Sequence, residues 1–252
     1  MKWNITTFSL VILTFVSCNK FDRIEGNNNL EIETRQTFSF NELINEGDFI
    51  VEIIPDSVYQ ITVEAESNLL PHIRTIVHGN TLVLDTRENL DPNYPIIIRV
   101  KTPMVNTVHL AGSGEIAINE MSATKMTIIL SGSGIMHGNL VAGQFKAILS
   151  GSGSIDFFVN SDRVETTLSG SGNIRLNGDA PYANHLISGS GNLDCYALPT
   201  SVCDAKISGS GNMYLTVSDQ LNATITGSGT IFYHGSPVVN SHISGSGSVI
   251  AN

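Results

Sequence analysis

Five residues at one repeated position of this sequence carry groups that could do chemistry. Asp156, Arg175, Asp194, Tyr214 and Phe232 follow one another at intervals of 19, 19, 20 and 18 residues. Two carboxylates around a guanidinium are the groups with which a polysaccharide lyase or hydrolase moves a proton, and two aromatic rings offer a platform for a sugar. The same alternation of sign on neighbouring strands also makes a plain stabilising ladder, because exposed opposite charges pair without further purpose. Cys195 and Cys203 could form a disulfide after export, but both fall on inward positions of the repeat described below, where free cysteine packs as a small apolar group, and the pairing stays open. His185 is also inward and reads as a satisfied core histidine rather than a catalyst or a ligand. No histidine stands beside the cysteines at metal-ligand spacing, so neither a zinc site nor another cofactor is expected.

The elements that position these residues come from a repeat. From residue 105 onward a Gly-Ser-Gly unit recurs eight times, and its leading glycines, Gly112, Gly132, Gly151, Gly170, Gly189, Gly209, Gly227 and Gly245, are 18 to 20 residues apart. Two residues before them stand Leu110, Leu130, Leu149, Leu168, Ile187, Ile207, Ile225 and Ile243; four after them stand Ile116, Met136, Ile155, Ile174, Leu193, Met213, Ile231 and Val249. Further apolar residues six before and six after extend a period-two alternation, the signature of strands with one buried face. Glycine pairs and β-branched runs within each period exclude helix. The fold expected is all-β: a parallel β-helix or β-solenoid of eight coils of about 19 residues, each made of two short strands joined by the Gly-Ser-Gly corner on one edge and a variable loop on the other. Stacking at ~4.8 Å makes it roughly 35 Å long, and its winding is right-handed by the rule for parallel crossovers.

Glycine permits the positive φ and close backbone approach that a corner in every coil demands, and the serine fits a crowded column while hydrogen-bonding locally. The motif is therefore structural. A phosphate cradle needs a lysine or a third glycine beside the loop, and a calcium stack needs an aspartate in each repeat; the outward column Ala117, His137, Asp156, Arg175, Asp194, Tyr214, Phe232, Ile250 supplies neither. A second outward column, three before the glycine, is apolar in its middle at Ile129, Ile148 and Leu186. Such a strip calls for a cover, either the N-terminal region or a second copy of the chain in a homo-oligomer.

Ahead of the repeat, residues 30–104 keep a strand signal in Phe49 to Ile54, Tyr59 to Glu64, Thr81 to Asp85 and Pro95 to Val100, with a hairpin corner at His78-Gly79-Asn80 and at most one helical turn near Pro71. This region is expected to cap the first coil of the solenoid at 105–252. The chain begins with Lys2, a short apolar stretch from Phe8 to Val16, and Ser17-Cys18. That reads as a signal peptide over 1–17 of the lipoprotein type, with acylation of Cys18, residues 18–29 as a tether, and an exported protein lipid-anchored at the outer membrane or cell surface. Formal net charge is −10 with no basic stripe, so nucleic acid is excluded as a partner.

Together, the leader, the stretch Gly47-Asp48-Phe49-Ile50-Val51-Glu52-Ile53, the segment from Leu69-Leu70 to Leu84 and units such as Ser169-Gly170-Ser171-Gly172-Asn173-Ile174 resemble the auto-transporter adhesin head GIN domain family of Bacteroidetes-type bacteria. The resemblance implies a pectin-lyase-like β-helix without a catalytic set, a role in adhesion to a host or glycan ligand, and assembly as a trimer. The function expected is thus a lipid-anchored, adhesin-like binding or structural module rather than an enzyme. Its alternatives are a polysaccharide-acting lyase or hydrolase on the same scaffold, for which Asp156 and Asp194 are the carboxylates, and an envelope scaffold.

Overall fold

The computed structural model describes residues 23–252. The leader at 1–17, Cys18 and the tether up to residue 22 lie outside the described residues. Gly132, Gly151, Gly170, Gly189, Gly209, Gly227 and Gly245 pair one with the next in parallel register, so the corners form one column. On one side of the corner, the column from Leu110 to Ile225 is at most 1% exposed; on the other, so is the column from Ile116 to Ile231. These flanking aliphatics belong to a single continuous hydrophobic core, and the chain is a parallel β-solenoid.

Close approach explains the corner glycines. Gly151 sits at φ +140°, and a Cβ built on it would lie 2.4 Å from the Gly132 carbonyl oxygen of the coil below. That oxygen instead accepts the N–H groups of Ser152 at 3.1 Å and Gly153 at 3.0 Å, an arrangement repeated up the stack. The corner is therefore bonded between coils, through backbone groups that only a residue without Cβ can bring together. The middle serine contributes its N–H to this pattern, while its side chain faces solvent in every coil, which corrects the expectation of a serine packed in a crowded column.

The far edge also differs from expectation. Ile135–Gly151 and Ser154–Gly170 are each one uninterrupted strand, paired through Asn139↔Phe158, Leu140↔Val159 and Val141↔Asn160, so no loop intervenes there. The ladder breaks where proline removes a donor, between Asn173–Asp179 and Tyr182–Gly189 at Pro181, and between Thr230–His234 and Val238–Gly245 at Pro237.

Parallel stacking does not begin at residue 105. Glu42–Asn45 pairs with Thr107–Leu110, and Ile50–Pro55 pairs with Glu115–Gly132, placing Leu43, Val51 and Ile53 beneath Val108, Ile116 and Ile118. Thr81–Thr86 and Ile97–Thr102 add a further rung below these. In the coil at 42–55 a buried Asn45 replaces the aliphatic residue. Its Oδ1 accepts the Gly47 N–H at 3.1 Å and its Nδ2 donates to the Phe49 carbonyl at 3.3 Å, shaping a corner without Gly-Ser-Gly.

Antiparallel strands finish this end of the solenoid. Gln60–Glu66 pairs with Ile97–Thr102, Leu30–Gln36 pairs with Gln60–Glu66, and Ile73–His78 folds back on Thr81–Thr86 through Gly79 at φ +62°. A single 3-10 turn, Leu70–His72, contains Pro71. Residues 23–29 are tied to this cap. Ile24–Glu25 pairs with Leu90–Asp91, and the Glu66 carboxylate, 1% exposed, accepts N–H groups from Asn28 at 2.6 Å and Asn93 at 2.9 Å.

Candidate functional site

Each strand leaving a glycine corner presents alternate residues outward, so the corner register builds the wall on which the candidate residues stand. Asp156 pairs with Arg175, Arg175 with Asp194, Asp194 with Tyr214, and Tyr214 with Phe232, which brings all five onto consecutive rungs. Arg175 lies 3.7 Å from Asp156 and 3.4 Å from Asp194, and all three side chains are at least 42% exposed. The two carboxylates share one guanidinium in open solvent, where an ion pair contributes little. Neither is held in a cleft, the setting that prepares a carboxyl group for proton transfer.

The aromatic end has a different geometry from a sugar platform. Tyr214 and Phe232 stack on each other at 5.2 Å and 8°, and Tyr196 meets Tyr214 edge-on at 5.4 Å. Tyr196 also stacks on His234 at 4.2 Å, and its hydroxyl accepts from Asn252 Nδ2 at 2.7 Å. The rungs are spaced so that rings in one column spend their faces on one another. Tyr196 and His234 did not emerge from the sequence as candidates. Both stand seven residues after a corner glycine, one alternation beyond the residues considered.

This wall continues into the N-terminal region. Ala117 pairs with Glu52, and Glu52 with Arg99, whose guanidinium is 3.0 Å from Glu52 and 2.8 Å from Glu64. The hydrogen bond from Arg99 to Glu64 raises the arginine's already high pKa. Residues outside the repeat thus follow the same logic of paired charges across rungs.

Ile129, Ile148 and Leu186 share one outward column with Thr167, and all are half-buried. The N-terminal region adds Ile44 and Val83 to the same column, beyond an intervening His109, through the same parallel register. It is therefore the strip's extension and not its cover.

Inside the core, Cys195 and Cys203 are free and buried. Burial raises both thiols, that of Cys203 to about 12, so they remain protonated and unreactive. His185 is fully buried, with Nδ1 2.9 Å from the Thr166 hydroxyl and no partner for Nε2, so the histidine expected to be satisfied is bonded at one ring nitrogen only; burial lowers its pKa to about 4 and holds it neutral. Among the described residues no group of three or more His, Cys, Asp or Glu is placed to hold a metal ion.

Comparison with known proteins adds to this geometry. The family model described as "Putative auto-transporter adhesin, head GIN domain" matches residues 39–237. A "putative lipid binding protein" from Parabacteroides distasonis ATCC 8503 superposes with a TM-score of 0.86 at 25% identity, over 92% of this chain and 100% of its own. A "putative adhesin" from Parabacteroides merdae ATCC 43184 gives 0.87 at 22% identity, over 92% and 99%. A further "putative adhesin" from Parabacteroides distasonis ATCC 8503 gives 0.88 at 21% identity, over 92% and 100%. No functionally curated protein matches the sequence.

Proposed function

Because the chain belongs to the auto-transporter adhesin head GIN domain family, we propose that it is an adhesive module displayed at the cell surface, anchored through an acylated Cys18 and binding through the outer walls of its solenoid. The observation that carries this reading is the wall itself, a run of outward columns in register from Arg99 to Ile250. A surface of this kind spreads weak contacts over a long rigid face, which multiplies affinity when the ligand is repetitive. The lyase alternative draws less support, since Asp156 and Asp194 are solvated partners of Arg175 and form no enclosed acid–base pair.

Cys18 and Arg23, where the arm joins the cap, are five residue steps apart. At ~3.5 Å per residue that span reaches no more than about 18 Å, so an anchored solenoid would hold its cap close to the bilayer and its later coils outward. Cells expressing the full chain should adhere to host matrix or glycan-coated surfaces. The Cys18→Ser variant should leave the membrane fraction and adhesion should be lost with it. Unsaturated product released from acidic polysaccharide by the wild type, and abolished by Asp156→Ala or Asp194→Ala, would overturn the adhesive reading in favour of a lyase. Sedimentation of the soluble chain tests assembly as a trimer through the strip at Ile129, Ile148 and Leu186.

A further inference from the structure

A different part of the surface has the chemistry that the stacked rings lack. Phe158 is 47% exposed and takes no part in the aromatic pairs. Parallel register sets Asn139 on the rung below it and Asn177 on the rung above, with Asn160 two residues further along its own strand. Asn139, Leu140, Val141, Phe158 and Asn160, together with Glu120 and Ser122, line an open groove of about 520 Å³.

Two observations mark the groove as built. Glu120 is a non-glycine residue at φ +46°, a left-handed conformation that costs energy and persists only where its surroundings hold it. It lies in a bulge, where Asn119 and Glu120 oppose the single residue Asn139 between the pairs Ile118↔Gly138 and Met121↔Leu140. That extra residue makes the first repeat one longer than the second and turns Glu120 to the groove. The side-chain amides also behave differently from others on this wall. Asn173, Asn192 and Asn212 bond to one another at 3.2 Å in a self-satisfied ladder. Asn139, Asn160 and Asn177 flank the ring in its place, so no such ladder forms and their donors and acceptors stay open to a ligand.

We infer that this groove binds an uncharged pyranose unit of a glycan, with Phe158 stacking on its apolar C–H face and Asn139, Asn160, Asn177 and the Glu120 carboxylate bonding its hydroxyls. An exposed ring flanked by neutral amides matches a sugar, which is apolar on its face and polar around its rim. The one ionisable group lining the groove is an acid, so carboxylated or sulfated sugars are disfavoured there. This rests on the adhesive reading and locates its ligand.

The test is titration of the soluble chain with unsubstituted gluco-, galacto- and manno-configured oligosaccharides, beside their glucuronate-containing and sulfated counterparts. Binding is expected for a neutral oligosaccharide. It should weaken about tenfold or more in Phe158→Ala, the scale of losing one aromatic contact, and persist in Phe158→Trp and in Lys146→Ala on another wall. Equal binding by wild type and Phe158→Ala, or preference for the charged sugars, overturns the inference. Adhesion of whole cells is scored separately. Adhesion unaffected by Phe158→Ala would sink the groove and leave the adhesive reading standing; neutral-sugar binding by a chain that confers no adhesion would do the reverse.

Discussion

At the scale of single residues, the corner glycines and His185 make the sharpest demands. Gly151→Ala would force a Cβ against the Gly132 carbonyl at a φ that L-residues avoid, whereas Gly79→Ala meets open space at its hairpin corner. Thermal unfolding should show a loss of about 1–3 kcal/mol or more for the first and about 1 kcal/mol for the second. Equal losses would mean that crowding between coils is not what the corner glycine relieves. For His185, the unfolded state takes up a proton near pH 6.5 and the folded state only near 4. Its contribution is thus complete above pH 6.5 and is lost progressively as pH falls towards 4, by up to about 3 kcal/mol. Urea midpoints between pH 7 and 4.5 should fall less steeply in His185→Leu than in the wild type. The sequence placed His185 in the core correctly, but its single partner Thr166, one coil away, is a product of stacking register.

At the scale of elements, the N-terminal arm is joined to the cap through Glu66. Although burial opposes ionisation, the N–H donors of Asn28 and the amides of Asn93 outweigh it and hold the Glu66 carboxyl below its ordinary value. The arm is therefore secured at neutral pH and released only as pH drops through that lowered value. Glu66→Gln should raise hydrogen exchange at the Asn28 amide and expose residues 23–29 to protease, with the repeat coils unchanged. Unaltered protection would show that the pairing of Ile24–Glu25 with Leu90–Asp91 suffices. A polar, asparagine-rich stretch reads from sequence as a free tether because its partners, Glu66, Ser67, Asn68 and Asn93, are some 40 or more residues away for most of it. The coil at 42–55 was hidden for a related reason: its corner keeps Gly47 but has Asn45 where the repeat has an aliphatic residue and Phe49 where the repeat has its second glycine.

Across the whole molecule, a solenoid is a one-dimensional stack in which each coil answers mainly to its neighbours. Leu168, in a middle coil, is 1% exposed, while Ile243, at the equivalent position of the last described coil, is 40% exposed. Leu168→Ala should cost about 2–5 kcal/mol and Ile243→Ala well under half of that. Amide exchange should be fastest in residues 238–252 and slowest from about residue 130 to 215. A uniform exchange profile would indicate that the stack opens as one cooperative unit.

The amino-acid sequence alone determined the period, the inward columns and the glycine corners, because stacking imposes the same steric demand on every coil and each copy must record it. The adjacency of Asp156, Arg175 and Asp194 followed from that period. Tertiary structure decided what repetition does not encode. It extended the stack below residue 105, where an Asx corner built by Asn45 around Gly47 replaces the Gly-Ser-Gly unit. It turned Tyr214 and Phe232 onto each other, because rings on successive rungs lie at stacking distance. It also set Glu120, through one extra residue in a bulge, beside a phenylalanine that no alignment of the corners had singled out.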